Sequence, residues 1–228
     1  MASCGQDGNL IVWKEVKANE WERVKEFINH KGTLILTIAI TCSWTPHECG
    51  LILAVGTSDG NITIITGNEF TAISKSGHTG GVTAVSWCSS SCPDLLDNPS
   101  KEISETQTLR LVTAGHDNNV KIWVYERNKE LREEISWNVN SLMNDMAFAN
   151  NPGFSYDLLA GCSEDSIVRI WRRVNTTWKE PLVLTLKSAG KKLNWSLLGT
   201  ILTVTTDNGV YVYEEKDIDN WQLIEETK

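Results

Sequence analysis

The amino-acid sequence predicts an all-β protein, a propeller built from four-stranded antiparallel blades. Two observations carry this prediction: a hairpin pattern of 13 residues occurs five times in the 228-residue chain, and aromatic residues recur at equivalent places beside the copies. Propeller blades repeat at about 40–45 residues, and each blade needs its neighbours to bury its apolar faces. A β-hairpin repeated near this spacing favours a propeller over any helical repeat.

The hairpin pattern is clearest at residues 111–123. Its first five residues are a short apolar run, and Asp117-Asn118-Asn119 supplies side chains that bond to their own backbone and tolerate left-handed angles. Val120 and Ile122 alternate with polar residues at the period of a strand, and Trp123 ends the pattern. The other copies lie at residues 1–13, 53–65, 159–171 and 201–213.

Every copy has an aspartate at its seventh place, where the turn of the hairpin is expected. Successive aspartates are 52, 58, 48 and 42 residues apart, which suits propeller blades. These blade-turn aspartates are Asp7, Asp59, Asp117, Asp165 and Asp207.

Segments on either side of the hairpins complete the blades. Before each later copy an apolar segment ends in an aromatic residue, which predicts a first strand, and a tryptophan seven or eight residues after three of the copies predicts a fourth. The preceding aromatics are Trp44, Trp87, Phe148 and Trp195, and the following ones are Trp21, Trp178 and Trp221. The first copy begins at Met1, so it has no preceding strand. We therefore predict three strands of one blade and then four complete blades in an open, incomplete ring, and we expect a missing N-terminal segment.

One propeller domain is expected over residues 1–228, because no linker-like stretch divides the chain. Its predicted parts are a partial blade at 1–30, blades at 31–76, 77–136 and 137–187, and a last blade at 188–228. The third part contains the one long insertion, residues 88–108, which is rich in Ser, Asp, Asn and Pro and is predicted to be a loop.

Composition limits the classes of partner. The net charge of −8 disfavours direct binding to nucleic acid or to anionic lipid headgroups. The longest apolar stretch, residues 33–44, is too short to span a bilayer, and the N-terminus lacks the pattern of a secretory signal. We therefore expect a cytoplasmic protein whose six cysteines are free thiols.

Several stretches resemble one known family. Residues 44–60, the turn Gly77-His-Thr79 with Ala84-Val-Ser-Trp87, and Leu95–Ser100 in the insertion are similar to the small WD-repeat subunit of the coat protein complex II outer cage, a family that also serves in the nuclear pore scaffold. The similarity continues to Trp221. The resemblance implies a WD40 β-propeller of the six-bladed family, with residues 190–226 as the last blade and residues 1–30 as a remnant of the second.

The same resemblance implies a function and a partner. It points to a structural scaffold on vesicles that travel from the endoplasmic reticulum to the Golgi, peripheral to the membrane, and to a second location at the nuclear pore. The partner would be a larger coat subunit with a propeller and an α-solenoid, or a nuclear pore scaffold subunit, which donates a blade in trans. No enzymatic activity and no cofactor are expected. A generic WD-repeat adaptor and, more remotely, a propeller enzyme are the alternatives.

In WD repeats of this kind, four residues form a structural hydrogen-bond network, and here they would be His78, Thr113, Asp117 and Trp123. A histidine, an aspartate and a hydroxyl also invite a catalytic-triad interpretation. A triad needs an exposed hydroxyl beside an oxyanion hole, whereas Thr113 falls in the middle of a predicted strand. The structural interpretation is therefore preferred, and the partner-binding residues are left open.

Two groups of residues could be taken for zinc ligands. They are Cys42, His47 and Cys49, and Cys88 and Cys92 near His78. Neither group has the paired C-x2-C spacing of structural zinc sites, so free thiols without metal are expected.

Overall fold

A computed structural model describes residues 1–5, 9–27, 39–46, 49–67, 69–89, 109–126, 130–151 and 155–227. In these ranges 20 β-strands form five antiparallel sheets that follow one another along the chain. The all-β fold and the array of small successive sheets confirm the fold class predicted from the repeats.

The first three sheets are each built in chain order. The first has β1 (Ala2–Cys4), β2 (Leu10–Lys17) and β3 (Glu20–Phe27). The second has β4 (Ala39–Trp44), β5 (Ile52–Thr57), β6 (Asn61–Thr66) and β7 (Thr71–Ser76). The third has β8 (Val82–Trp87), β9 (Leu109–Gly115), β10 (Asn119–Tyr125) and β11 (Leu131–Asn138).

The fourth sheet differs from the expected four-stranded blade because its outer strand is in two pieces. It has β12 (Met143–Phe148), β13 (Tyr156–Ser163) and β14 (Ile167–Val174), and then β15 (Thr177–Trp178) and β16 (Leu182–Thr185), which both pair with β14. Pro181 lies between the two pieces, and a proline has no amide hydrogen to donate to the ladder. The fifth sheet has β17 (Gly190–Trp195), β18 (Ile201–Thr206), β19 (Gly209–Asp217) and β20 (Asn220–Thr227).

Neighbouring sheets pack through their innermost strands. β1 contacts β4, β4 contacts β8, β8 contacts β12 and β12 contacts β17. No packing of this extent joins the first sheet to the fifth among the described strands, so the ring is open rather than closed. The openness predicted from the sequence is confirmed.

The core consists of apolar layers between adjacent sheets, and the hairpin pattern explains which side chain enters which layer. At the tenth and twelfth places, Val120 and Ile122 pack toward the fourth sheet, whereas Trp123 at the thirteenth place packs toward the second. The fourth sheet repeats this arrangement, since Trp171 faces the third sheet. Full burial of a large apolar side chain contributes about 1.5–3 kcal/mol, so each of the three inner sheets depends on both of its neighbours.

Tryptophan side chains also join adjacent sheets by hydrogen bonds. Trp87 ends β8, and its Nε1 donates to the carbonyl of Ser43 in β4 at 3.0 Å. Trp195 ends β17, and its Nε1 donates to the carbonyl of Ala147 in β12 at 2.9 Å. In both cases the acceptor belongs to the first strand of the preceding sheet.

Candidate functional site

The structure brings the four predicted network residues together in the third sheet. Trp123 Nε1 donates to Thr113 Oγ1 at 2.8 Å, and Thr113 Oγ1 lies 2.8 Å from His78 Nε2. His78 Nδ1 lies 2.9 Å from Asp117 Oδ1. Asp117 also accepts hydrogen bonds from the backbone amides of Thr79 and Asn119, both at 3.2 Å. One continuous series of hydrogen bonds thus runs from the indole to the turn carboxylate.

The donors in this series define the tautomer of His78. Thr113 Oγ1 accepts from the indole, so its own hydrogen is directed at His78 Nε2, which must act as an acceptor. The ring proton is then on Nδ1, where it is donated to Asp117. Burial lowers the pKa of His78 and outweighs the opposing effect of Asp117, which favours this neutral form. Burial alone would raise the pKa of Asp117, but its bonds to His78 and to the turn amides hold that pKa below the usual value.

The geometry suits a structural network better than a catalytic one. Thr113 is 0% exposed, and its hydroxyl is held between the indole and the imidazole. A nucleophilic hydroxyl must reach a substrate carbonyl. Gly115 permits the close packing, because a Cβ there would lie 2.6 Å from both Cγ and Nδ1 of His78. Asn118, next to Asp117, adopts the left-handed conformation expected for this turn, with φ of 59°.

Other copies contain only parts of the network. In the first copy Trp13 Nε1 donates to Ser3 Oγ at 2.9 Å, which repeats the indole-to-hydroxyl bond. In the fourth copy Gly161 stands where the hydroxyl would be, so the buried Nε1 of Trp171 has no hydrogen-bond partner. The Trp171 ring instead stacks on Trp137, with 5.6 Å between ring centroids. Trp137, the one tryptophan outside the repeated places, therefore fills part of the layer between the third and fourth sheets.

An arginine that the repeat pattern did not predict supports the turn in the fourth copy. Arg169 Nη1 donates to Ser163 Oγ at 2.8 Å, and its Nη2 donates to Asp165 Oδ2 at 2.7 Å. Burial alone would raise the pKa of Asp165, but the bonds from Arg169 and Ser163 lower it. A basic residue four places after the turn aspartate was the signal in the sequence.

The remaining turn aspartates fall into three groups. Asp59 and Asp165 cap their turns as Asp117 does, since they accept from the amides of Asn61 at 3.2 Å and Ile167 at 3.1 Å. Asp207 is different: it is exposed, and its carboxylate lies 3.5 Å from Lys191 Nζ. Asp7 lies outside the described residues.

The turn of the fifth copy explains why Asp207 differs. Thr206 pairs with Gly209 across only two residues, whereas three residues separate β9 from β10. Thr206 Oγ1 accepts from the amide of Asn208 at 3.2 Å and donates to the carbonyl of Gly209 at 3.0 Å. The hydroxyl of Thr206 thus accepts the hydrogen bond from a turn amide, as the aspartate carboxylate does in the longer turns.

A second missed residue joins the fourth and fifth sheets. Arg172 in β14 is almost fully buried, and its guanidinium contacts the carboxylates of Glu215 and Asp219, with 2.7 Å from Nε to Asp219 Oδ1. The same guanidinium lies 4.2 Å from the centre of the Tyr156 ring. The sequence position of Arg172 could not reveal this cluster, because the two acidic residues belong to a different repeat.

The candidate zinc groups are only partly within the described chain. Cys42 and Cys49 are half-buried and Cys88 is buried, while His47, Cys92 and residues 90–108 of the insertion lie outside the described residues. Within the described ranges, no group of three or more His, Cys, Asp or Glu side chains is placed to hold a metal ion.

The first sheet exposes side chains that its counterparts bury. Trp221 of the fifth sheet is 9% exposed and packs edge-on against Trp195 of that sheet's first strand. Trp21 holds the equivalent place in the first sheet, where no described strand precedes β1, and it is 44% exposed. The indole of Trp44 is affected too. Its Nε1 is buried without a partner, because none of the described strands offers it a carbonyl in the way that β4 does for Trp87 and β12 does for Trp195.

Large exposed apolar side chains are concentrated in the two end sheets. Nine of the eleven in the described residues belong to the first or fifth sheet or its connecting loops. They are Met1, Val16, Trp21 and Val24 at one end and Leu197, Leu198, Ile218, Leu223 and Ile224 at the other, while Leu51 and Val183 lie in the middle sheets. Val210 and Val212, whose counterparts in the inner sheets are buried, are only half-buried in the fifth.

None of the residues in the described ranges forms a helix with the length and apolar character needed to cross a bilayer.

Comparisons with known proteins agree with this architecture. The family described as "WD domain, G-beta repeat" matches residues 71–124, which include the whole network. The chain is 30% identical to "Protein SEC13 homolog" of Drosophila melanogaster over 97% of its length, and it spans 63% of that protein. It is 28% identical to "Protein transport protein SEC13" of Cryptococcus neoformans and 26% identical to that of Mycosarcoma maydis, over 98% and 99% of its length and 75% of each relative. The resemblance inferred from the sequence is confirmed.

Proposed function

We propose that this chain, which is Sec13-like over nearly its whole length, is a scaffold subunit of a protein-transport coat that binds a larger partner at the open ends of its propeller. Two of the three relatives described above are named as protein transport proteins. The proposal extends to the outer cage of vesicles between the endoplasmic reticulum and the Golgi, on the cytoplasmic side. It also includes a second assembly, the nuclear pore scaffold, in which the same surfaces would be used.

One observation carries the proposal: in the described part of the chain no strand lies on the inner side of β1, and side chains that such a strand would cover are exposed or unpaired. Two side chains show this: the ring of Trp21 is 44% exposed, and the buried Nε1 of Trp44 has no hydrogen-bond partner. An added strand beside β1 would supply a carbonyl to Trp44, as β4 does to Trp87, and an aromatic side chain to Trp21, as Trp195 of β17 does to Trp221. Strand addition at a free sheet edge is a common mode of protein recognition.

The opposite end supports the same partner. Val210 and Val212 of β19 occupy places that face the following sheet in the inner copies, yet no described sheet follows the fifth. A donated blade seated between the two ends would cover both. Exposed apolar side chains occurring singly are ordinary, but a concentration of them at two complementary ends marks an interaction surface.

Affinity capture with matched variants tests the proposal. Tagged wild-type chain, Trp21→Glu and Val183→Glu are expressed in cells, and captured proteins are quantified by mass spectrometry. Val183 is the control, because it is 53% exposed and lies in the fourth sheet. A buried interface tryptophan is commonly worth 2 kcal/mol or more, so Trp21→Glu should reduce partner recovery by about tenfold or more.

The captured partner decides between the assemblies. Capture of a large coat subunit supports the role in the vesicle coat, and capture of a nuclear pore subunit supports the role in the nuclear pore scaffold. Other stable partners without either would favour a generic adaptor. Equal recovery by Trp21→Glu and wild type would refute the proposed docking end.

A further inference from the structure

The inner strands of neighbouring sheets are joined by hydrogen bonds from their second residues. In β8, Thr83 Oγ1 donates to the carbonyl of Met143, the first residue of β12, at 2.7 Å. In β12, Asn144 Nδ2 donates to the carbonyl of Gly190, the first residue of β17, at 2.8 Å. The second residue of β4 is Ile40, which has no side-chain donor. A polar second residue thus holds the start of the following inner strand.

The fifth residue of an inner strand supplies an acceptor to the following sheet. The carbonyls of Ser43 in β4 and Ala147 in β12 accept from tryptophan indoles of the next sheet. In β8 the acceptor is a side chain, since Ser86 Oγ accepts from the backbone amide of Phe148 at 3.2 Å. In all three cases the donor is the sixth residue of the following inner strand. The contact between two inner strands therefore has a fixed pattern.

The inner strand of the fifth sheet has polar residues at both of these places. Lys191 is the second residue of β17 and Asn194 is the fifth, and both are exposed, whereas their counterparts in β8 and β12 are half-buried. Lys191 Nζ lies 3.5 Å from the carboxylate of Asp207, and both side chains are exposed, so water screens this ion pair. The neighbouring Lys192 is directed back to Asp145 of the fourth sheet. Lys191 and Asn194 are thus placed to contact a sheet beyond the fifth.

We propose, as an extension of the proposed function, that β17 is the docking strand for the inner strand of the partner's donated blade. Lys191 Nζ donates to the backbone carbonyl of the first residue of that strand, and Asn194 accepts from an N–H of its sixth residue. An indole suits the sixth place best, because three of the four described six-residue inner strands end in tryptophan. The partner is therefore a protein that contributes a six-residue strand ending in tryptophan.

The two contacts have different consequences for recognition. Thr83 and Asn144 are uncharged, so the hydrogen bond from the second place does not require the charge of Lys191. Every strand offers a backbone carbonyl, and the bond from Lys191 therefore fixes where the partner's strand begins. The contact at Asn194 selects a strand whose sixth side chain fits, since side-chain contacts give specificity in strand addition.

Binding by three lysine variants tests the role of Lys191. The coat or pore subunit recovered by the wild-type chain is purified, and its Kd for each full-length variant is measured by biolayer interferometry. Lys191→Met removes one hydrogen bond and should weaken binding by about three- to tenfold. Lys191→Gln retains a neutral donor, as Asn144 does, and should bind almost as tightly as wild type. Lys179→Met is the matched control, because Lys179 is exposed in the fourth sheet.

Lysine acetylation gives a second measurement that needs no variant. The chain alone and its complex are treated with an N-hydroxysuccinimide ester of acetic acid, and modified lysines are mapped by mass spectrometry. Lys191 should react more slowly in the complex, and Lys179 should react equally in both samples.

The outcomes separate this inference from the proposal on which it rests. Wild-type affinity in Lys191→Met, equal losses in Lys191→Met and Lys191→Gln, or unaltered acetylation of Lys191 would each overturn the docking role of β17. If Trp21→Glu still weakens binding in that case, docking at the first sheet stands and only the role of β17 fails. Recovery of no partner by the wild-type chain would overturn both.

Discussion

Replacing Asp117 with alanine tests the hydrogen-bond network of the third sheet. The carboxylate accepts from His78 Nδ1 at 2.9 Å and from the amides of Thr79 and Asn119 at 3.2 Å. The two amides lie near the surface, so water can replace their acceptor. His78 is 4% exposed, and its donor would remain buried without a partner. One such donor costs about 1–3 kcal/mol, which is the expected loss in the free energy of unfolding.

This loss is measured by thermal and urea unfolding at pH 7.5, with circular dichroism and tryptophan fluorescence as the signals. For a chain of this size, 1 kcal/mol corresponds to about 2–4 °C, so the melting temperature should fall by roughly 2–12 °C. Asp207→Ala is the matched control, because that carboxylate is exposed and its contact with Lys191 is 3.5 Å long. It should change stability by no more than about 0.5 kcal/mol. An unchanged melting temperature for Asp117→Ala would refute the network.

Three further predictions concern the same sheets. The pKa of His78 is lower in the folded chain than its usual value of 6.5. The contribution of neutral His78 to stability is therefore present above pH 6.5 and falls as the pH decreases. The urea midpoints at pH 7.5 and 5.5 should differ less for His78→Gln than for wild type. Gly115→Ala should cost about 1–3 kcal/mol in urea unfolding because its Cβ would displace the imidazole, and unchanged imidazole signals in NMR spectra would contradict this. Arg172→Met should cost about 2–4 kcal/mol in the same assay, because it leaves a buried acid partner uncompensated. Lys187→Met, at an exposed ion pair, should have a much smaller effect, and equal losses in the two variants would contradict this difference.

The repeat pattern predicted much of the fold because the same physical requirement recurs in every copy. The aliphatic residues at the tenth and twelfth places of all five copies, and the aromatic residue at the thirteenth place of four, favour burial between sheets, and this periodicity is visible in the sequence. The aromatic residues Trp44, Trp87, Phe148 and Trp195 end first strands as expected. Local spacing also placed the turn that contains Asp117 and Asn118.

What the sequence could not predict depends on contacts between repeats or on small departures from the pattern. Arg172 and its acids are distant in sequence, so only the packing of β14 against the fifth sheet joins them. The two-residue turn at Asp207 preserves the aspartate but removes its capping role. The split outer strand of the fourth sheet likewise follows from the proline at position 181 rather than from the aromatic spacing.

The orphan indole of Trp44 was the least predictable feature. Its sequence context matches that of Trp87 and Trp195, which both find a carbonyl in the preceding sheet. Only the three-dimensional arrangement shows which carbonyl each indole meets, and none in the described part of the chain bonds to Trp44 Nε1. A satisfied and an unsatisfied tryptophan therefore look identical in the sequence.

Hydrogen–deuterium exchange of the chain alone and in complex with its captured partner tests the central proposal, that an added strand completes the first sheet. The proposal predicts that the amides of β1 exchange more slowly in the complex and that those of β9 and β10, already paired on both sides, are unchanged. Protection confined to the middle sheets, with exchange at β1 unaltered, would contradict it.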